Sequence, residues 1–118
     1  MTPSISSRHC LALDLRDDPA LIAEYCQQHE RIWPQIAASI RDAGIVGMEI
    51  WRIGNRLFMI METDARFDAG AKAIADANNP KVQEWEALMW RFQQPLPWAR
   101  SGEKWMPMEK IFDLTAQP

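Results

Sequence analysis

The stretch Ile45–Thr63, IVGMEIWRIGNRLFMIMET, reads as two β-strands joined by a two-residue turn. Ile45–Ile53 and Arg56–Thr63 are rich in β-branched and large apolar residues, and Gly54-Asn55 between them is a hairpin signal. In the second of these strands Leu57, Met59 and Met61 share one face, and Phe58, Ile60 and Glu62 share the other. Working outward, the hairpin is preceded by a helical segment and followed by another. On the N-terminal side Asp17-Asp18-Pro19 is a helix start, an acidic cap with proline in the first turn. Leu21, Ile22, Tyr25, Cys26 and His29 then recur at helical spacing. Pro34 disfavours helix at Trp33, so this helix should end or kink between His29 and Trp33. A second helix follows, with Ile36, Ile40 and Ala43 inward and Gly44 as its stop. His9–Leu15 (HCLALDL) reads as the first strand.

On the C-terminal side Phe67–Asn78 is alanine-rich and helical. Pro80 opens a further helix with Val82, Trp85, Met89 and Phe92 on one stripe. Gln94–Gly102, with Pro95 and Pro97, reads as a loop, and Trp105–Leu114 as a last strand whose proline puts its start at an edge. The order β-α-β-β-α-β, with each helical position broken, predicts an α+β ferredoxin-like fold. It has a four-stranded antiparallel sheet with helices on one face, of the dimeric α/β barrel type. A sheet covered on one face leaves the other to a second copy, so a homodimer is expected.

A chain of 118 residues is one domain, too short for a TIM barrel or a two-domain dehydrogenase. The expected domain is 1–118, with residues 1–8 a flexible lead. Hydrophobic residues at 47% and charged residues at 25% exclude disorder as the main state. A net charge of −3 gives no strong attraction to nucleic acid or to an anionic membrane, and neither is expected as a partner. Met1–Arg8 lacks the apolar run of a signal peptide, and no stretch is long enough to span a bilayer. Cys10 and Cys26 are too few for a disulfide framework, so a cytoplasmic location with reduced thiols is expected.

Tyr25 and His29 lie four residues apart, on one helix face. A phenol and an imidazole so placed can share proton transfer. The negative end of the helix dipole is expected to raise the His29 pKa. Cys26-x-x-His29 has no second Cys/His pair to complete a metal site, so no metal is expected. Of the six tryptophans, Trp33, Trp51, Trp85, Trp90, Trp98 and Trp105, core and dimer-interface packing takes several, and one or two can form a wall for a sugar ring. Sugars present C–H patches that stack on indole while their hydroxyls need polar partners at the rim. Glu49, Glu62, Glu84, Glu86 and Glu109 are the carboxylates that can supply such partners.

The segment Tyr25-Cys-Gln-Gln-His29-Glu-Arg-Ile32-Trp33-Pro34 resembles the Y-x-x-x-H-x-x-I-W-P segment of the L-rhamnose mutarotase family. The resemblance extends from the first strand through Gly44, Leu57-Phe58 and Val82-Gln83-Glu84-Trp85 to Glu109–Leu114. It implies a dimeric, cofactor-independent isomerase that interconverts the α and β anomers of a 6-deoxy-L-sugar by acid/base ring opening and closing. The family's proton-donor histidine falls on His29 and its substrate-contacting tyrosine on Tyr25. Its pair of indoles falls on Trp85 and Glu86, and a further tyrosine on Met48. The last two positions depart from the family pattern, which widens the expected substrate from L-rhamnose to L-fucose. Two other classes share this reading of the chain: a sugar-binding module without catalysis, and a small dimeric-barrel monooxygenase.

Overall fold

The computed structural model describes residues 5–118. Strand β1 (Ser7–Leu15) is followed by α1 (Pro19–Gln28), α2 (Pro34–Asp42), β2 (Ile45–Ile53) and β3 (Arg56–Thr63). Then come α3 (Ala69–Ala77), α4 (Pro80–Trp90) and two short strands, β4 (Gln93–Gln94) and β5 (Met106–Pro107). The sheet is antiparallel with order β2-β3-β1-β4, and β5 also pairs with β1. This is the ferredoxin-like α+β arrangement, with β1 and β3 central. Of the lead segment expected to be flexible, residues 1–4 lie outside the described residues. Ser7 and Arg8 already belong to β1, paired with Thr63 and Glu62.

The helix boundaries follow from their caps. Asp18 accepts hydrogen bonds from the Ala20 and Leu21 amides, and Pro19 occupies the first helical position. Pro34 and Pro80 start α2 and α4 in the same way, and Asn79 caps α4 through the Lys81 and Val82 amides. Asp68 caps α3. The helices pack on the sheet face that carries Leu15 and Leu57. The core there gathers Tyr25, Ile36, Val82, Trp85, Met89 and Phe92 around those two leucines. Each such side chain, removed from water, contributes roughly 1.5–3 kcal/mol.

The expected last strand, Trp105–Leu114, is corrected. Two fragments fill the fourth position of the sheet. Gln93–Gln94 pairs with Asp14–Leu15, and Met106–Pro107 pairs with Leu11–Ala12. The Met108 amide adds one bond to the Cys10 carbonyl at 2.8 Å. Pro107 has no N–H for the ladder. Beyond Met108 the chain leaves the sheet and ends in a 3₁₀ turn at Leu114–Ala116. Ile111, Phe112 and Leu114 are 90%, 65% and 73% exposed, so these apolar side chains have no wall within this chain to hold a strand in place.

Gly44 joins α2 to β2 with φ +89°, a conformation open to glycine and costly for other residues. A Cβ there would lie 2.6 Å from the Asp64 carboxylate and 2.9 Å from the Phe67 amide nitrogen. Gly54 in the hairpin also has positive φ, but a Cβ there meets nothing within 4 Å. Gly54→Ala is expected to cost about 1–2 kcal/mol from backbone conformation alone. Gly44→Ala should cost more, because the α2–β2 corner must also move off Asp64 and Phe67. Urea titration of the two variants checks this, and equal midpoint shifts would refute it.

Candidate active site

The site begins at the end of α1. The His29 amide bonds back to the Cys26 carbonyl at 3.2 Å, which tightens the last turn and leaves the Tyr25 carbonyl free of it. The His29 ring fills that gap, its Nδ1 donating to the Tyr25 carbonyl at 2.8 Å. This bond places the ring proton on Nδ1 and leaves Nε2 bare in the neutral form. The Tyr25 ring lies 4.3 Å from the imidazole, centroid to centroid, and Trp85 meets the other side edge-on at 5.7 Å. Trp33 in turn packs on Trp85 at 5.1 Å. The aromatic residues thus fix the ring on the sides that the hydrogen bond does not.

Burial lowers the His29 pKa from its ordinary value of 6.5, and the bond to the Tyr25 carbonyl only partly opposes this. The expectation that the helix dipole raises it is therefore corrected. The C-terminal carbonyls do stabilise imidazolium, but removal from water penalises the charged form more. Burial also pushes the Tyr25 hydroxyl up to about 12, so it stays protonated throughout the physiological range.

Tyr25 and His29 open onto a cavity of about 400 Å³ between the sheet and the helices. That volume lies within the range of small-molecule sites. Met48, Trp85 and Glu86 line the same cavity, so the five residues singled out from sequence converge on one place. Met48 reaches it in the regular register of the hairpin, paired with Met61, and a β-bulge follows on its N-terminal side. Ile45 pairs with Thr63 and Gly47 with Glu62, so β2 carries one extra residue and its alternation reverses. Ile45, Met48 and Ile50 then all face the helices; unbroken alternation would set Ile45 on the face opposite to the other two.

Glu86, on α4, is held by Lys104 at 3.1 Å. The Lys104 ammonium also lies 4.7 Å from the Trp90 ring centroid, which ties the loop before β5 to α4. Of the five glutamates named from sequence, Glu86 alone lines the cavity. Glu49 accepts from the Trp51 indole and Glu84 pairs with Lys81. Glu62 pairs with Arg8, and Glu109 is exposed on the tail.

Four residues that sequence reasoning missed also line it: Lys72, Asp76, Gln93 and Trp105. Lys72 and Asp76 form an i,i+4 ion pair at 2.8 Å on α3, a spacing visible in the sequence. Gln93 is 5% exposed and directs its Nε2 at the Tyr25 hydroxyl, 3.4 Å away. A glutamine directly after the buried Phe92 is the one sign of it in the sequence. Among the described residues no group of three or more His, Cys, Asp or Glu side chains is placed to hold a metal ion. Nor, among those residues, is any helix long and apolar enough to cross a membrane.

Comparison with known proteins bears on what this cavity serves. Residues 8–114 match the family model described as L-rhamnose mutarotase. An L-fucose mutarotase of Xanthomonas campestris pv. campestris is 49% identical over 110 residues, covering 92% of this chain and 88% of that protein. The crystal structure of an L-rhamnose mutarotase from Formosa agariphila superposes with a TM-score of 0.69 at 22% identity, covering 92% of this chain and 99% of that one. The tetracenomycin F2 cyclase of Streptomyces glaucescens, a type-II polyketide cyclase, superposes at 0.56 and 18% identity, covering 95% and 100%. At that identity the cyclase shows a shared fold alone. The family match spans β1 through the tail, and so takes in every residue placed around the cavity; the chain belongs to the L-rhamnose mutarotase family.

Proposed function

We propose that the protein is a cofactor-independent isomerase that interconverts the α and β anomers of a 6-deoxy-L-sugar, L-fucose or L-rhamnose. The observation that carries this reading is the His29 imidazole, with Nδ1 tied to the Tyr25 carbonyl and Nε2 free at a sugar-sized cavity. The neutral ring enters as a base. Nε2 takes the proton of the anomeric hydroxyl, a C1=O double bond forms, and the C1–O5 bond breaks. The same proton is delivered from Nε2 to O5, since both oxygens sit on C1. Rotation about C1–C2 presents the other face of the aldehyde, and the reverse sequence closes the ring as the other anomer. In that closing direction the imidazolium is the proton source for the carbonyl oxygen, the donor role of the family's histidine. Tyr25, always protonated, is a hydrogen-bond donor to the oxygen on which charge develops.

The rest of the cavity suits the substrate class. Met59, Met61 and Ile36 give it an apolar wall for the C6 methyl, and the Trp85 indole offers a face for the ring C–H groups. Glu86 and Met48 stand where an indole and a tyrosine are found in the family's L-rhamnose pattern. With the relative named as an L-fucose mutarotase, they favour L-fucose as the better substrate.

The assembly we propose is a homodimer through the open face of the sheet. Trp51 and Ile53 stand there 62% and 71% exposed, beside Phe58 and Ile60 of β3. Trp98 is 62% exposed under the Arg56 guanidinium on the same side. Such a patch is the mark of an interface. Light scattering should give about twice 13.6 kDa, and Trp51→Glu should return the chain to that single mass. A wild-type monomer at micromolar concentration would overturn the dimer.

Saturation-transfer NMR on L-fucose and L-rhamnose should show α/β exchange faster than in buffer. Buffer rates for every 6-deoxy-L-hexose would leave the binding-module reading instead. His29→Ala should lower the accelerated rate by about 10²–10⁴-fold, with circular dichroism unchanged.

The pH dependence follows from the sign of the His29 shift. The working form is neutral, so exchange should fall as pH drops through a value below 6.5 and stay level from there to the alkaline range. The fold also favours the neutral ring, so its contribution to stability is complete above 6.5 and is lost as pH falls toward the folded value. An exchange rate that rises on acidification would exclude His29 as the entering base.

A further inference from the structure

Gln93 lies at the start of β4, 5% exposed, on a cavity wall otherwise made largely of methionine, isoleucine and tryptophan side chains. Its backbone is accounted for by pairing with Leu15 of β1. Its side chain is not. An amide withdrawn from water costs about 1–3 kcal/mol for each hydrogen-bonding group left unmatched. Among the described residues the amide makes one side-chain hydrogen bond, from Nε2 to the Tyr25 hydroxyl at 3.4 Å. No side-chain nitrogen or oxygen sealed from solvent lacks a partner among those residues, so Oε1, which makes no hydrogen bond there, keeps some exposure, in a residue that lines the cavity. Packing alone would be served as well by leucine or methionine.

We propose that Gln93 is a further sugar-binding residue, with two tasks. Its Oε1 accepts a hydrogen bond from a sugar hydroxyl. Its Nε2 donates to the Tyr25 oxygen, and so turns the single phenol hydrogen away from β4 and toward the bound ring. The proposal rests on the mutarotase reading of the same cavity. It explains why a long, weak amide–phenol contact is kept there. In the free protein Nε2 and Oη are held near each other by their backbones, and a ligand bridging Oε1 and the phenol hydrogen completes both groups. It also matches the energetics of sugar recognition, in which each buried hydroxyl needs a fixed partner.

The test uses the full chain and L-fucose as the probe. In wild type, the Gln93 side-chain ¹⁵N–¹H₂ resonances, assigned by their loss in Gln93→Met, should shift saturably. Their half-saturation should match that of the accelerated anomer exchange. Gln93→Met keeps length and volume, and should raise the half-saturating sugar concentration roughly three- to tenfold, as for one lost hydrogen bond. In a Tyr25→Phe background the same change should have a smaller effect, because the phenol it orients is gone. Gln93 resonances unmoved at saturating sugar overturn the proposal, as does a Gln93→Met protein with wild-type half-saturation. Should Gln93→Met not fold, the resonances can be assigned by through-bond correlation and the wild-type titration still decides. A wild-type protein that accelerates no exchange removes the mutarotase reading itself. Acceleration with silent Gln93 resonances removes this inference alone.

Discussion

The hydrogen bond from His29 Nδ1 to the Tyr25 carbonyl is the constraint on which the site depends. It is a helix-capping bond before it is anything else. It satisfies a carbonyl that α1 leaves over when its last turn tightens. Because the ring serves the cap with one nitrogen, the other is left free of that bond, in a known tautomer. Pro34, which starts α2, keeps α1 from running on. The same residues therefore end a helix, orient an imidazole and carry the chain round to Trp33, which packs on Trp85. A mobile histidine would have to be ordered on each encounter with substrate. This one is held by a backbone atom and two aromatic rings, and that preorganisation is what small-site proton transfer requires.

The cavity joins two environments that pull in opposite directions. Its sheet wall is apolar, and burial of the two rings lowers the His29 pKa and raises that of Tyr25. Both shifts favour neutral groups, so the Tyr25–His29 pair carries no net charge at rest. The charged groups are kept in pairs: Lys72 with Asp76 on α3, and Lys104 with Glu86 at α4. A site so arranged can take an uncharged sugar without stripping water from a bare ion, a cost that would weaken binding.

Much of the scaffold is legible in the sequence, because it is written in local rules. Gly54-Asn55 fixes the hairpin, and Asp18-Pro19, Pro34 and Asn79-Pro80 fix helix starts, each through a backbone angle or a cap. The Tyr25/His29 pair is legible for the same reason, since a spacing of four residues on a helix is local. What is not legible depends on tertiary contact. The direction of the His29 shift needs the burial supplied by α4. The face taken by Ile45 needs the bulge at Ile45–Gly47, which strict alternation hides. Gln93 gains meaning only when β4 lands beside β1 and brings it to Tyr25, 68 residues away in sequence. The last strand misleads because Trp105–Leu114 has strand composition, while the single chain offers β1 pairing for only its first residues.

That shortened strand has a consequence for the site. Trp105 reaches the cavity from a segment held by the β5 pairing, the Met108 amide bond and the Lys104–Glu86 bridge. These are few bonds, and the ion pair among them is half exposed and worth about 0–1 kcal/mol at such a surface position. The wall they form is accordingly softer than the one made by β1, β2 and β3. Tyr25 and His29 are fixed by helix and core, and Glu86 by a helix and one lysine. Under the proposed function, the chemistry of ring opening, shared by every sugar with an anomeric hydroxyl, sits on the rigid side of the cavity. On the same reading, discrimination among sugars falls to the softer side, where Glu86 and Trp105 line the cavity and can vary without disturbing the core.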